Sequence, residues 1–67
     1  MFTVYYAGKV KESSSKDHAI KFMDRLDCGS DLWLCNTLLR TRMEQSNGTF
    51  RVTEYNYDNG RQEARVL

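Results

Sequence analysis

Residues 39–67, LRTRMEQSNGTFRVTEYNYDNGRQEARVL, decide the fold. Two turn signals cut this stretch into three runs. Asn47-Gly48 is the strongest short-range hairpin signal available, because both residue types accept the positive φ that a tight loop demands. Asp58-Asn59-Gly60 is the second, with Gly60 free to take the left-handed conformation of a three-residue loop. Each run reads as a strand. Leu39 to Met43 goes apolar, Arg, Thr, Arg, apolar; Phe50 to Tyr57 is β-branched and aromatic; Arg61 to Leu67 completes the set. An antiparallel meander over residues 38–67 is therefore expected.

Loop length sets strand register. A two-residue loop at Asn47-Gly48 pairs Met43 with Val52 and Glu44 with Arg51, and a three-residue loop at residues 58–60 pairs Val52 with Val66, Glu54 with Ala64 and Tyr55 with Glu63. One face then carries Leu39, Met43, Phe50, Val52, Ala64 and Val66. The other carries Arg40, Arg42, Glu44, Arg51, Thr53, Tyr55, Tyr57, Arg61, Glu63 and Arg65. A slip of one residue exchanges the faces, so this division tests the turn assignment.

Upstream, Phe2 to Tyr6 has the make-up of a short strand with Phe2, Val4 and Tyr6 on one side. Ala7-Gly8 ends it or turns it back as a hairpin through Lys9, Val10 and Lys11. A helix is expected over about residues 15–27, with Ser14 and Asp17 as a capping pair at its start and Gly29 as its stop. Ala19, Phe22, Met23 and Leu26 recur at i, i+3, i+4 and i+7, one apolar stripe that seeks a sheet face. Residues 31–38 fit helix and strand alike. The predicted fold is thus a small single α+β domain, β-α-β-β-β in order, with one amphipathic helix packed on the meander.

Sixty-seven residues allow one core. Chains of this length bury only about 60% of their unfolded surface, so self-association into a homodimer is a natural source of added stability. Ten Lys and Arg against nine Asp and Glu leave a net charge of +1. Long-range attraction to polyanions is weak at that balance, and any nucleic-acid contact must rest on a local patch. No apolar run approaches the ~20 residues of a membrane span, and no export signal opens the chain, which reads as a cytoplasmic protein without membrane contact.

Chemistry has little to work with. The single histidine, His18, falls in the first turn of the predicted helix, off the apolar stripe and with no nucleophile beside it, so a solvated role outweighs general-base work. Cys28 and Cys35 are six residues apart, too wide for a redox pair, and with one histidine they do not complete a four-ligand zinc site. Cys28 sits at a helix end that disfavours a thiolate. Cys35 shares the Leu39 and Met43 face in the strand reading and is expected as a small buried hydrophobe. Catalytic residues, metal ligands and cofactors are accordingly not expected.

What rises above background is the Arg and Tyr mixture on the expected solvent face of the meander. Arg40, Arg42, Arg51, Tyr55, Tyr57 and Arg65 are of the types enriched at protein contact hot spots. The same types stack bases and meet phosphates, which makes a small RNA- or DNA-binding domain the rival reading. Interleaved Glu44 and Glu63 dilute the positive potential and favour a protein partner. An ordinary soluble sheet face with cross-strand Arg and Glu pairs accounts for the pattern equally well. A thiol-based redox or metal protein comes last. By size and lack of an active site, the expected function is a non-enzymatic protein-binding module, on the scale of phage-type inhibitors of host nucleic-acid-processing or defence machinery acting in the host cytoplasm.

Overall fold

Alternating aromatic and β-branched residues open the chain. In the computed structural model, which describes residues 1–67, they form β1 (Phe2–Tyr6). Ala7 and Gly8 follow with φ of 47° and 73°, the paired left-handed conformations of a two-residue hairpin, and β2 (Lys9–Ser13) returns beside β1. The hairpin option for Lys9 to Lys11 is the one the chain takes. Ser13 explains the serine run, since its hydroxyl accepts from the Ser15 N–H at 3.1 Å and donates to the Ser15 carbonyl at 3.0 Å.

Helix α1 spans Lys16–Asp24. Its cap is Ser15 rather than Ser14: the Ser15 side chain accepts from the His18 N–H at 3.3 Å, satisfying one of the first turn's free donors. The helix also ends well before Gly29, as the Arg25 N–H turns back to the Phe22 carbonyl at 3.2 Å. The rest of the chain is sheet: β3 (Ser30–Leu34), β4 (Thr37–Glu44), β5 (Phe50–Asp58) and β6 (Arg61–Val66). Residues 31–38 thus resolve into the end of one strand, a turn at Cys35-Asn36 and the start of the next.

The six strands form one antiparallel sheet in the order β2-β1-β3-β4-β5-β6. Because β2 and β3 both pair with β1, the connection between them must cross the sheet, and α1 makes that crossing. The architecture is α+β with the expected meander, extended by β1, β2 and β3.

The helix stripe does pack on the sheet, but on another bed. Ala19 and Met23 meet Val4 of β1 and Leu32 of β3, and these four are the buried hydrophobic core. Phe2, Tyr6, Ile20, Phe22 and Leu39 flank it, with the Tyr6 ring edge-on to Phe22 at 5.1 Å. Leu39 reaches in because β4 bulges there: Leu32 pairs with Arg40 while Trp33 pairs with Leu38, leaving Leu39 as the extra residue.

Both meander turns differ in length from the expectation, in opposite directions. The first is a three-residue loop. The Gln45 N–H donates to the Thr49 carbonyl, the Gly48 N–H donates to the Gln45 carbonyl, and only Gly48 has positive φ, 84°. Asn47 instead accepts from the Thr49 N–H and hydroxyl through Oδ1, at 3.1 Å and 2.6 Å, and its side chain rather than its backbone shapes the turn. The second is a two-residue loop with Asn59 at φ 51° and Gly60 at φ 77°.

Each change shifts register by one. Arg42 faces Val52 and Met43 faces Arg51; Glu54 faces Arg65 and Tyr55 faces Ala64. Relative to α1, strand β5 keeps its expected sides, with Phe50 and Val52 toward the helix, while β4 and β6 are both turned over: Arg40, Arg42, Arg61, Glu63 and Arg65 come to the helix side, and Met43, Ala64 and Val66 to the opposite face.

Candidate functional site

Register and alternation assign every strand side chain to one of two faces. The helix side carries Val4, Tyr6 and Leu32 under α1, then Arg40, Arg42, Glu44, Phe50, Val52 and Glu54, and at the edge Arg61, Glu63 and Arg65. The opposite face has no layer over it. Across it run Val10, Tyr5, Asp31, Thr41, Thr53 and Val66 in one row, with Glu12, Thr3, Trp33 and Leu38 beside it and Met43, Arg51, Tyr55, Tyr57, Gln62 and Ala64 on the meander strands.

The Arg and Tyr group expected on one solvent face is split because β4 and β6 are turned over relative to β5. Arg51, Tyr55 and Tyr57 lie on the open face; Arg40, Arg42 and Arg65 lie on the helix side. The arginines there have structural work. Arg42 donates to the Leu26 carbonyl just beyond α1, and its guanidinium lies 3.7 Å from the centroid of the Phe50 ring. Arg40 is paired with Glu54 at 2.6 Å, its side chain only 11% exposed. Arg65 stands exposed on β6 opposite Glu54. These three do not join the tyrosines in one patch.

The open face holds residues that the reading of the meander passed over: Tyr5, Val10, Trp33 and Leu38. Their signal was present in β1, since placing Phe2, Val4 and Tyr6 inward puts Thr3 and Tyr5 outward. Tyr5 is 48% exposed, Val10 56% and Met43 60%, large apolar areas with no protein against them. Trp33, Tyr5 and Asp31, with Cys35 and Asn36 of the β3–β4 turn, line a shallow open cleft of about 380 Å³. Tyr57 is anchored, its hydroxyl donating to the Leu38 carbonyl at 2.8 Å and accepting from Gln62 Nε2 at 3.5 Å. That bond pre-orders the ring. Only three charged side chains stand on the face, Glu12, Asp31 and Arg51.

The other singled-out residues are scattered. His18 is exposed in the first turn of α1. Both cysteines are free. Cys28 is half-buried, and Cys35, expected inside, is exposed at the turn with φ 54°, because the chain reverses at the point where a continuous strand was expected. No three His, Cys, Asp or Glu side chains gather as metal ligands, and no helix is long and apolar enough to cross a membrane. No protein family model, curated protein or solved structure matches the chain.

Proposed function

We propose that the chain is a non-enzymatic protein-binding module whose contact surface is the open face of its sheet. The observation that carries this reading is the make-up of that face: Tyr5, Trp33, Leu38, Tyr55 and Tyr57 among few charges, with nothing over them. Aromatic enrichment with depleted charge is the composition of the buried centre of a protein interface. Accessible surface points the same way. A monomer of 7.9 kDa is expected to expose about 4,400 Å², and this chain exposes 4880 Å².

Charge favours this reading over the rival. Nucleic-acid binding draws on clustered cations, and on this face Arg51 stands alone against Glu12 and Asp31. The partner is a protein that presents an apolar, near-neutral patch. Inhibition of a larger host machine by a phage-type protein of this size needs only such a surface.

The test is capture of a partner by the tagged chain, with and without nuclease, compared with a Trp33→Ala chain. The bound protein should survive nuclease and bind Trp33→Ala at least ~30-fold more weakly, the loss of about 2 kcal/mol that marks a hot spot. Capture that vanishes with nuclease, or that persists unchanged when Tyr5, Trp33 and Tyr57 are all replaced by Ser, would refute the reading.

A further inference from the structure

The sheet has two edges, and they differ. At one edge, β2 carries Lys9 and Lys11 on the helix side. Its closing pair with Tyr6 turns Lys9 and Lys11 toward β1 and leaves Val10 and Glu12 to face outward. Two copies of β2 in antiparallel array bring lysine over lysine about Val10 or Lys11, and glutamate over glutamate about Glu12. Lysine-rich edges of this kind resist pairing.

The other edge is β6. All of its residues are exposed, and it has neither proline nor bulge. The Leu67 N–H donates to the Val52 carbonyl at 2.8 Å, so by antiparallel alternation Arg61, Glu63 and Arg65 also turn their backbone groups to β5. Gln62, Ala64 and Val66 turn both N–H and C=O outward, with no partner strand.

We propose that β6 pairs with β6 of a second copy, antiparallel, about a twofold axis through Ala64 and normal to the sheet. In that register Ala64 faces Ala64 of the partner, and Gln62 faces Val66 in both directions. Each of these pairs exchanges two backbone hydrogen bonds, which uses every outward N–H and C=O of the strand. On the helix side, Glu63 of one copy stands opposite Arg65 of the other, twice. Moving the axis one step to Glu63 sets Glu63 over Glu63 and Arg61 over Arg65; moving it to Arg65 sets arginine over arginine. Cross-strand like charges are unfavourable, so the charge pattern selects the Ala64 register over these neighbours. The result is one continuous twelve-stranded sheet with both open faces on the same side. This pairing does not depend on the protein-binding reading of the open face, and it leaves that face free.

An interface of one strand pair is small, so association is expected at loadings of roughly 10 µM to 1 mM. Sedimentation equilibrium of the full chain should show the mass rising from 7.9 kDa toward twice that value. Ala64→Pro removes an outward donor that the monomer does not use, and should abolish the rise while the circular dichroism stays that of the parent. Glu63→Arg and Arg65→Glu each place like charges opposite one another and should weaken association at least about tenfold, and an equimolar mixture of the two chains should restore it. The charge variants keep the test decisive if the proline chain unfolds. A mass fixed at 7.9 kDa at 1 mM, or no recovery in the mixture, would overturn the proposal. So would association that ignores all three changes but is lost in Thr41→Lys at the centre of the open face.

Discussion

Two methionines report on the turned-over β4, because the turn lengths decide which of them holds the fold together. Met23 on α1 is 0% exposed between Val4, Ala19 and Leu32; Met43 on β4 is 60% exposed on the open face. A two-residue loop at Asn47-Gly48 would have put Met43 inside. Truncating a fully buried methionine to alanine costs about 2–5 kcal/mol through lost transfer energy and the cavity left behind. At roughly 0.05–0.15 kcal/mol per residue, a chain of this length has only about 3–10 kcal/mol in total. Met23→Ala should therefore remove about a fifth or more of the stability, and Met43→Ala no more than about 0.5 kcal/mol. With a urea m-value near 1 kcal/mol/M, as for small proteins, the Met23→Ala midpoint should fall by about 2 M or more. Equal shifts in the two chains, or a larger one for Met43→Ala, would refute the observed register.

Two further stability changes follow from single contacts. Ser15→Ala should cost about 0.5–2 kcal/mol in the same melts, since it deprives the His18 N–H of its capping acceptor, whereas Ser14→Ala should cost next to nothing. Glu54→Ala leaves the mostly buried Arg40 guanidinium unpaired and should cost about 1–3 kcal/mol, while Arg40→Met, which removes the charge and keeps the packing volume, should be close to neutral. Equal losses from Glu54→Ala and Arg40→Met would mean that Arg40 contributes by packing alone.

The helix stripe and the three meander strands were legible because each rests on a local pattern. Ala19, Phe22 and Met23 have the helical spacing, and Asn-Gly pairs mark both meander turns. Register was harder to read. Alternation placed Phe50 and Val52 of β5 toward the helix, as found, but in β4 and β6 it pointed the wrong way, because Arg40 and Arg42 take the helix side through Glu54 and the Leu26 carbonyl while Met43, Ala64 and Val66 turn out. The turns alone had to decide, and one side-chain detail in each tipped them: Asn47 uses Oδ1 to hold a type of loop in which only Gly48 is left-handed, whereas Asn59 goes left-handed itself. The bed of the helix was misread for a topological reason. A β2–α1–β3 crossover obliges α1 to lie over β1, and that connection was invisible while residues 31–38 remained open.

The distribution of residues over the uncovered surfaces bears on function more than composition does. Six strands at about 4.8 Å span roughly 24 Å, and a helix about 10 Å across covers two or three of them. So α1 leaves β4 to β6 bare on its own side, and there the chain places Glu54, Arg61, Glu63 and Arg65, with Arg42 laid over Phe50. Solvation alone explains that half. If solvation governed the wholly bare face as well, it too would be charged, since no helix ever reaches it. Instead it carries Tyr5, Val10, Trp33, Leu38, Met43 and Val66. The chain thus puts most of its strand charges on the side that the helix partly covers, and Tyr5, Trp33, Tyr55 and Tyr57 on the side that nothing covers. That inversion is costly for a monomer in water and becomes favourable once a second surface lies on the face.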